Sequence, residues 1–400
     1  MIATSLKRVP ARRVLLALQS VTVGGMETQC AELVAQFVHL GLRVAVALPV
    51  SSVFDGFAKQ LEAAGAHIER LDTDARNGRA AQGLGLFRVI RFMRTWRPDV
   101  VHVHTGGATG GVAMLAAARL ATGATVILTE HDVPFADPGL RLRLATAVKD
   151  RFVHALIALS ARNAELRRRW LGVPARKFVG VRPAVRVQSA SGTPLRMAIR
   201  APLGIAPSAV VIGCAVRLAA DKGLDDLIRA FALVVRDEPC ELLLVGDGPL
   251  RASLEALVAD LGICERVHFA GYQSEPLGFF DAMDIFVLAV PVGSGSIALL
   301  EAMARGIPAV ITYCGPGEFL VRDVTGLCAE ACDHRSLAAA LVRLVRDAGL
   351  RSALGAAAVQ RVHRDFRIEN AALDLLEVYE TARGRAIPQR LLASQLAGQE

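Results

Sequence analysis

The chain of 400 residues contains few aromatic side chains and no cysteine pattern typical of a metal or disulfide site. Aromatic residues make up 5% of the sequence and no nucleic-acid recognition motif is present, which argues against a nucleic-acid partner. The seven cysteines include no C-x-x-C pair and no histidines at zinc-binding spacing. This usage predicts buried free thiols in a reducing compartment.

Long hydrophobic runs are also missing. Near the N-terminus the apolar run is V-L-L-A-L, which is too short for the core of a secretory signal peptide. The apolar stretch from Val112 to Leu128 is interrupted by Arg119 and by a Thr-Gly pair, so we expect no membrane-spanning helix. Together these absences predict a cytoplasmic protein.

What the sequence does contain is a repeated alternation of apolar strands and amphipathic helices. Helices are predicted at about Met26–Leu40 and Leu224–Val235, each after a strand and a short loop. Such alternation predicts an α/β fold with parallel sheets and right-handed crossovers. A length of 400 residues fits two domains of about 200 residues each. The predicted strands are Val14–Leu18, Arg43–Leu48, Val100–His104, Thr125–Leu128, Val210–Val216, Glu241–Val245 and Ile285–Leu288.

One segment predicts an anion site. Pro291 to Pro308 reads P-V-G-S-G-S-I-A-L-L-E-A-M-A-R-G-I-P, a Gly/Ser-rich turn followed by a helix. The unpaired N–H groups of a first helical turn and the helix dipole both favour a bound phosphate. Glu301 is suited to accept hydrogen bonds from ribose hydroxyls. In the alternative interpretation, Ser294 and Ser296 only cap the helix and Glu301 is a solvated first-turn acid.

A second segment carries cations at a comparable position. The strand Val210–Val216 is followed by R-L-A-A-D-K-G, so Arg217 and Lys222 bracket a loop at the strand's carboxyl end. Open α/β sheets bind ligands at this edge. Two cations there would neutralise a diphosphate, also as it leaves with negative charge. The alternative is that both are ordinary solvated surface cations.

Eight motifs in order resemble those of the retaining glycosyltransferases of family 4, also called glycosyl transferases group 1. Any one of them is weak, but their order and spacing over Val14 to Arg383 are specific. The motifs are V-L-L-A-L-Q-S-V-T-V-G-G-M-E-T-Q, R-P-D-V-V-H-V-H, T-E-H-D, R-L-A-A-D-K-G, L-L-V-G-D-G-P, L-E-A-M-A-R-G-I-P, C-G-P-G-E and D-V-T-G-L.

The resemblance implies the GT-B architecture, in which two Rossmann-like domains have parallel sheets facing a central cleft. We expect an acceptor-binding domain at residues 1–190, a domain binding the nucleotide-sugar donor at 191–383, and a tail at 384–400. The linker is placed at Arg186–Pro194, which is the least periodic stretch. The last helix, Asn370–Thr381, is expected to cross back onto the first domain.

The implied activity is transfer of a hexose, with retention, from a nucleotide diphosphate sugar to an acceptor hydroxyl. No separate cofactor is expected, and no metal, because Arg217, Lys222 and helix N–H groups stabilise the leaving diphosphate. The implied catalytic residues are His131, Arg217 and Lys222. The implied donor-binding residues are Gly24, Gly25, Arg217, Lys222, Ser294, Ser296, Ile297, Ala298 and Glu301.

One departure from the family pattern leaves alternatives open. The pattern has two glutamates eight positions apart, and the first falls on Gly293 in this sequence. Relatives use that carboxylate to hold hydroxyls of the donor hexose. A pseudo-enzyme that binds nucleotide sugars without turnover is therefore an alternative. A hexosamine epimerase on the same fold is disfavoured, because such relatives lack L-E-A-M-A-R-G-I-P. The usual Asn-Gly pair at the domain crossing is also absent.

Four further side chains have roles that their positions predict. His102 and His104 alternate along one strand and should point to the same face, with His102 a buried, hydrogen-bonded core histidine. Glu27 is interpreted as a first-turn helix acid, and Glu130 as a residue that orients its neighbour.

The positive charge is concentrated in the first half. Residues 1–190 hold 26 Lys+Arg against 13 Asp+Glu, a balance of +13, and residues 191–400 hold 20 against 25, a balance of −5. A basic acceptor domain favours an anionic acceptor, such as a lipid-linked sugar at the inner face of the cytoplasmic membrane. Two Arg-rich amphipathic stretches, Phe87–Arg97 and Arg162–Leu171, would contact the anionic bilayer. The alternative is that they are solvated faces of ordinary core helices.

Overall fold

A computed structural model describes residues 12–20, 22–71, 78–107, 110–131, 139–187, 193–273, 276–290, 296–313 and 319–382. The chain divides into two compact units. The first extends to Pro183 and resumes at Ile368, and the second is Ala184–Arg367. The sequence-based boundary at residue 190 lies seven residues beyond this division.

The first unit is built on a parallel sheet of seven described strands. Their order across the sheet is β3-β2-β1-β4-β5-β6-β7. The order reverses at β1, which pairs with both β2 and β4. The strands are β1 (Arg13–Gln19), β2 (Arg43–Leu48), β3 (His67–Arg70), β4 (Val100–Thr105), β5 (Thr125–Glu130), β6 (Ala155–Ala158) and β7 (Phe178–Gly180).

Helices connect these strands because each crossover between parallel strands must return to the same end of the sheet. β4, β5 and the middle of β1 are buried, as expected for central strands that are covered on both faces, and polar side chains of β4 and β5 are buried with their apolar neighbours. The helices are α1 (Gly25–His39), α2 (Asp55–Ala63), α3 (Gly78–Trp96), α4 (Val112–Ala121), α5 (Gly139–Asp150) and α6 (Ala161–Leu171).

The second unit repeats the plan with six described parallel strands in the order β10-β9-β8-β11-β12-β13. Buried residues form one core on each side of this sheet. The strands are β8 (Val210–Ala215), β9 (Cys240–Val245), β10 (Val267–Gly271), β11 (Ile285–Leu288), β12 (Ala309–Tyr313) and β13 (Gly326–Glu330). The helices are α7 (Thr193–Arg200), α8 (Leu224–Val234), α9 (Arg251–Asp260), α10 (Leu277–Asp281), α11 (Ile297–Ala304), α12 (His334–Arg346) and α13 (Ala348–Asp365).

The last helix, α14 (Ile368–Thr381), belongs to the first unit, as the family resemblance implied. It packs against α1, where the rings of Phe37 and Tyr379 lie 5.9 Å apart between centroids. The predicted strands and helices are confirmed with shifts of one or two residues at their ends. Such shifts are ordinary, because helix ends fray.

A buried arginine fixes the start of the two central strands of the second sheet. Arg200, the last residue of α7, is fully buried and bonds the carboxylate of Asp284 at 2.7 Å. The same carboxylate accepts a hydrogen bond from the backbone N–H of Val211. Asp284 therefore ties the beginning of β11 to the beginning of β8.

A cluster of buried charges lies beneath α5 and α6. The guanidinium of Arg167 bonds the carboxylates of Glu130 and Asp150, and Lys149 also bonds Glu130. All four side chains are buried. The expectation that Arg167 contacts a membrane together with Arg168 and Arg169 is therefore wrong for Arg167, because its charge is used inside the unit.

In the other Arg-rich stretch, Phe87–Arg97, the side chains of Arg88, Arg91 and Arg94 are exposed on α3, whereas Met93 is buried in the core. Among the described residues, no helix combines the length and the apolar character needed to cross a membrane.

Candidate functional site

The two segments that predicted a phosphate site meet at one edge of the second sheet. β8 and β11 are neighbours and run parallel, with Ile212 opposite Ile285. The loop after β8 and the helix after β11 therefore both start from the carboxyl edge of the sheet, where α/β folds bind their ligands. Sequence separation of about 80 residues hides this neighbourhood, and strand pairing creates it.

Arg217 and Lys222 are held on the first loop by a carboxylate between them. Asp221 bonds the ammonium of Lys222 at 2.6 Å and lies 3.7 Å from the guanidinium of Arg217. Partial burial opposes ionisation of Asp221, but the bond to Lys222 and the charge of Arg217 outweigh it and lower the pKa of this carboxyl. Arg217 is exposed, so an incoming anion can reach it.

Two glycines of L-L-V-G-D-G-P allow the backbone of the next loop to approach this one. Gly246 has a φ of +132°, and a Cβ there would lie 2.0 Å from the carbonyl oxygen of Val216. At Gly248, a Cβ would lie 2.5 Å from the carbonyl oxygen of Leu218. Between these two glycines, the backbone carbonyl of Asp247 accepts a hydrogen bond from the backbone N–H of Leu218. The loop after β9 thus supports the backbone on which Arg217 lies.

The helix α11 begins with Ile297 and Ala298, and Ser296 occupies its N-cap position. The hydroxyl of Ser296 accepts no capping hydrogen bond from the described residues of this helix, so capping is not its role there. Glu301 lies in the second turn and is partly buried, which contradicts the alternative of a solvated first-turn acid. Gly293 and Ser294 fall outside the described residues.

In the first unit, Gly24 and Gly25 lie at the start of α1, after β1. The backbone N–H of Gly24 donates to the carboxylate of Glu27 at 2.8 Å. Glu27 is buried, which raises its pKa. Glu27 therefore caps α1 from inside, and the N–H of Gly24 is already used by the chain itself.

His131 follows β5 at the carboxyl edge of the first sheet, and its ring nitrogen Nε2 lies 3.2 Å from Nδ1 of His104. Burial lowers the pKa of His131 to about 4 and holds that of His104 well below its ordinary value, so both rings are neutral near pH 7. One ring must then donate to the other.

The tautomer follows from the other nitrogen of His104. Its Nε2 is buried and has no hydrogen-bond partner among the described residues. A buried orphan N–H is rarer than an orphan acceptor. The arrangement with the lower cost therefore protonates His104 at Nδ1, which donates to His131. His131 then carries its own proton on Nδ1.

His102 forms a separate buried group beside this pair. Its ring nitrogens lie 2.7 Å from the hydroxyl of Tyr379 and 2.8 Å from that of Thr129. The rings of His102 and His104 are 4.1 Å apart, which confirms that they share a face, and burial lowers the pKa of His102 to about 3. The prediction of a buried, hydrogen-bonded His102 is confirmed. A small cavity lies against all three histidines.

The structure thus groups Arg217 and Lys222 on one loop, with Ser296, Ile297, Ala298 and Glu301 on the helix after the neighbouring strand. Gly24, Gly25 and His131 belong to the first unit. The sequence did not predict the role of Asp221, although it lies inside the R-L-A-A-D-K-G motif, nor the contact of His104 with His131. Glu130 does not bond His131 but belongs to the buried charge cluster.

In the described part of the chain, no three His, Cys, Asp or Glu side chains are placed to hold a metal ion together. The sequence does contain one Asp-x-Asp triplet, Asp72-Thr73-Asp74, which lies outside the described residues.

Comparison with known families identifies both halves. Residues 24–184 match the glycosyl transferase 4-like domain, and residues 196–361 match the glycosyl transferases group 1. The chain belongs to the group 1 glycosyltransferases, as its motifs indicated.

Individual relatives align with part of the chain. N-acetyl-alpha-D-glucosaminyl L-malate synthase of Bacillus anthracis is 34% identical over 40% of this chain and 41% of its own length. The lipopolysaccharide core biosynthesis glycosyltransferase LpsD of Rhizobium meliloti is 35% identical over 42% of this chain and 49% of its own. These matches therefore span less than half of either relative. D-inositol 3-phosphate glycosyltransferase of Thermobispora bispora is 27% identical over 90% of both chains.

Solved structures show the same fold. HepE of Anabaena, crystallised with UDP-glucose, has a TM-score of 0.79 at 20% identity, covering 92% of this chain and 99% of that one. Sucrose-phosphate synthase of Thermosynechococcus elongatus has a TM-score of 0.75 at 18% identity, covering 96% and 100%. The fold is that of the GT-B glycosyltransferases.

Gly248→Ala should destabilise the second unit by about 1–3 kcal/mol, because the new methyl group would overlap the backbone of Leu218. The matched control is Gly56→Ala on α2, where a Cβ meets no described atom within 4 Å. The control should be neutral or slightly stabilising, since alanine favours helix. Urea unfolding measures both. Equal stability of the two variants would contradict the close approach.

His104→Asn should make stability less dependent on pH. Because burial lowers the pKa of His104, the unfolded chain binds more protons below about pH 6.5, and stability is lost as pH falls from there toward the folded-state value. The variant should lose about 2 kcal/mol less than the wild type between pH 7 and pH 5. Urea titrations at both values measure this difference.

The control for that comparison is His39→Asn, at an exposed position on α1, which should keep the wild-type dependence. An unchanged pH dependence in His104→Asn would mean that His104 titrates alike in the folded and unfolded chain.

Proposed function

We propose that this protein is a retaining glycosyltransferase that moves a hexose from a nucleotide diphosphate sugar to an acceptor hydroxyl in cell-surface polysaccharide or glycolipid biosynthesis. The observation that carries the proposal is the cation pair Arg217 and Lys222 on the loop after β8, next to the strand that leads into α11. The relatives named above include a lipopolysaccharide core glycosyltransferase, and HepE was crystallised with UDP-glucose. Both support this reading.

The diphosphate of the donor would replace Asp221 as the partner of the two cations. Asp221 holds Lys222 and Arg217 near each other before the donor arrives, so little reorganisation is needed. The first-turn N–H groups of α11 have no partner within the helix and would bind a phosphate oxygen. The carboxylate of Glu301 would accept hydrogen bonds from the ribose hydroxyls.

In the reaction, the bond between the anomeric carbon and the diphosphate breaks, and the acceptor hydroxyl attacks from the same face. Arg217 and Lys222 stabilise the negative charge that develops on the leaving group. The acceptor proton passes to the departing phosphate oxygen. His131 is proposed to contact the donor sugar as a neutral ring, with the proton on Nδ1 that the bond to His104 favours.

We further propose that transfer needs no metal ion, because the cations of the loop neutralise the diphosphate. Addition of a chelator should leave transfer unchanged. Loss of transfer that Mg²⁺ restores would contradict this and would direct attention to Asp72 and Asp74.

We propose an anionic acceptor, presented at the inner face of the cytoplasmic membrane, on the basis of the +13 balance of residues 1–190.

Arg217→Ala and Lys222→Ala should each reduce transfer about a hundredfold, as expected for removing one stabiliser of a leaving oxyanion. The control is Arg236→Ala, an exposed cation just beyond the C-terminal end of α8, which should retain full activity. Transfer is followed with labelled donor, and donor hydrolysis is measured alongside. Full activity in both loop variants would contradict the proposal.

The competing function is a pseudo-enzyme, favoured by the glycine at position 293. Calorimetry with nucleotide sugars, beside the hydrolysis assay, separates the two: binding without turnover of any donor supports the pseudo-enzyme. A thermal-shift comparison of uridine, guanosine and adenosine diphosphates identifies the base, because a ligand bound by the native state raises the melting temperature.

Gly293→Glu should change which donor sugar is preferred or raise turnover. We propose that neutral groups, the hydroxyls of Ser294 and Ser296 and the amide near Ile297, hold the hexose in place of a carboxylate. The missing charged hydrogen bond corresponds to about 1.5–3 kcal/mol of discrimination between sugars. Donor competition assays measure the shift. If the preference among donor sugars and the turnover both stay unchanged, the residue at position 293 does not contribute to recognition of the hexose.

A further inference from the structure

The helix α5 (Gly139–Asp150) is amphipathic in the reverse of the usual sense. Leu140, Leu144 and Val148 are 71%, 59% and 51% exposed. Their spacing of four residues aligns them in one stripe along the helix. The opposite face carries Thr146, Lys149 and Asp150, all buried.

The buried polar face explains why the helix is oriented this way. Lys149 bonds Glu130 of β5, and Asp150 pairs with Arg167 of α6. If the helix were turned over, Glu130 would lose Lys149 and Arg167 would lose Asp150, and charges buried without partners are strongly destabilising. The ion cluster therefore fixes the stripe on the outside of the unit.

The exposed charges around the stripe have one sign. Arg141 lies on the same outward face of α5, Arg151 follows the helix directly, and Arg119 is exposed at the end of α4, which contacts α5. Of the described residues from 110 to 151, the acidic ones are Glu130 and Asp150, and both are buried. Over residues 110–151 the described surface thus combines apolar side chains with arginines. The exposed carboxylate of Glu165 on the adjoining α6 pairs with Arg162.

We propose that the outward face of α5, defined by Leu140, Leu144 and Val148 with Arg119, Arg141 and Arg151, docks on an anionic lipid bilayer. An interfacial helix inserts apolar side chains at the boundary between headgroups and acyl chains, while its basic residues contact lipid phosphates. Exposed Arg168 and Arg169 on the adjoining α6 extend the basic surface, and Arg169 lies over the ring of Trp170. The inference rests on the proposed function, in which the acceptor is presented at a membrane.

A second copy of the chain fits this surface less well. A stable interface buries about 800 Å² on each partner, more than a stripe of three aliphatic side chains offers. A two-fold dimer through this face would also place its arginines against the arginines of the partner, and the exposed carboxylate of Glu165 on the adjoining α6 is already paired with Arg162.

The test is flotation of the full chain with vesicles of phosphatidylcholine alone or mixed with phosphatidylglycerol, at low and high salt. The wild type should float with the anionic vesicles, and less so at high salt, because screening weakens the arginine contacts. Leu140→Gln, Leu144→Gln and Val148→Gln together should lower the bound fraction about tenfold. Arg119→Gln, Arg141→Gln and Arg151→Gln together should remove the difference between the two lipids.

The matched control is Val53→Gln with Val324→Gln, two valines of comparable exposure (53% and 55%) that are not part of α5, which should float like the wild type. If the triple variant does not fold, Val148→Trp gives a second measurement: its additional fluorescence should shift to the blue with anionic vesicles. Equal flotation of wild type and triple variant, or an unshifted Val148→Trp, overturns the proposal. The proposal is also overturned if the wild type does not bind vesicles but sediments as a dimer, and if the triple variant sediments as a monomer.

Donor hydrolysis in solution is measured on the same proteins. Hydrolysis without vesicle binding means that the docking surface is wrong and the proposed reaction stands. Vesicle binding that depends on the stripe, without turnover of any donor, means that the docking surface is right and the proposed reaction is wrong.

Discussion

The pairing of β8 with β11 is the contact on which the candidate donor site depends. It places the loop of Arg217 and Lys222 beside the helix of Glu301, which lies about 80 residues further along the chain. The pairing is short, and Asp284 reinforces it at the opposite end by bonding both Arg200 and the backbone of Val211. A fully buried arginine far from the ligand edge therefore contributes to the geometry of that edge.

The cationic loop owes its position to two further constraints that act through the backbone and through charge. Gly246 and Gly248 let the loop after β9 approach within hydrogen-bonding distance of Leu218, which a side chain at either position would prevent. Asp221 then draws Lys222 and Arg217 toward each other, which reduces the repulsion between the two cations in the absence of the proposed diphosphate. The protein's own carboxylate thus keeps the two cations of the loop together.

In the first unit, the buried charge cluster connects the histidine site with the outer surface. Glu130 ends β5 directly before His131, and the same carboxylate binds Lys149 of α5 and Arg167 of α6. The cost of burying these charges is met only when each has its partner. That requirement fixes the polar face of α5 inward and its leucines outward, so a polar core decides what the surface presents.

The sequence by itself determined the α/β class, seven of the thirteen described strands and the resemblance to the family, because apolar periodicity and short loop motifs are local properties of the chain. The place of α14 in the first unit was expected only from that resemblance. It also placed His102 and His104 on one face, since side chains alternate along a strand. Only the tertiary structure decided that Arg167 is buried, that Glu301 lies in the second turn of α11, that Glu130 belongs to an ion cluster, and that Asp221 and His104 are partners of the proposed site residues. Most of these facts depend on contacts between elements that are distant in the chain. The sequence does not distinguish a charged residue that faces solvent from one that faces a buried partner.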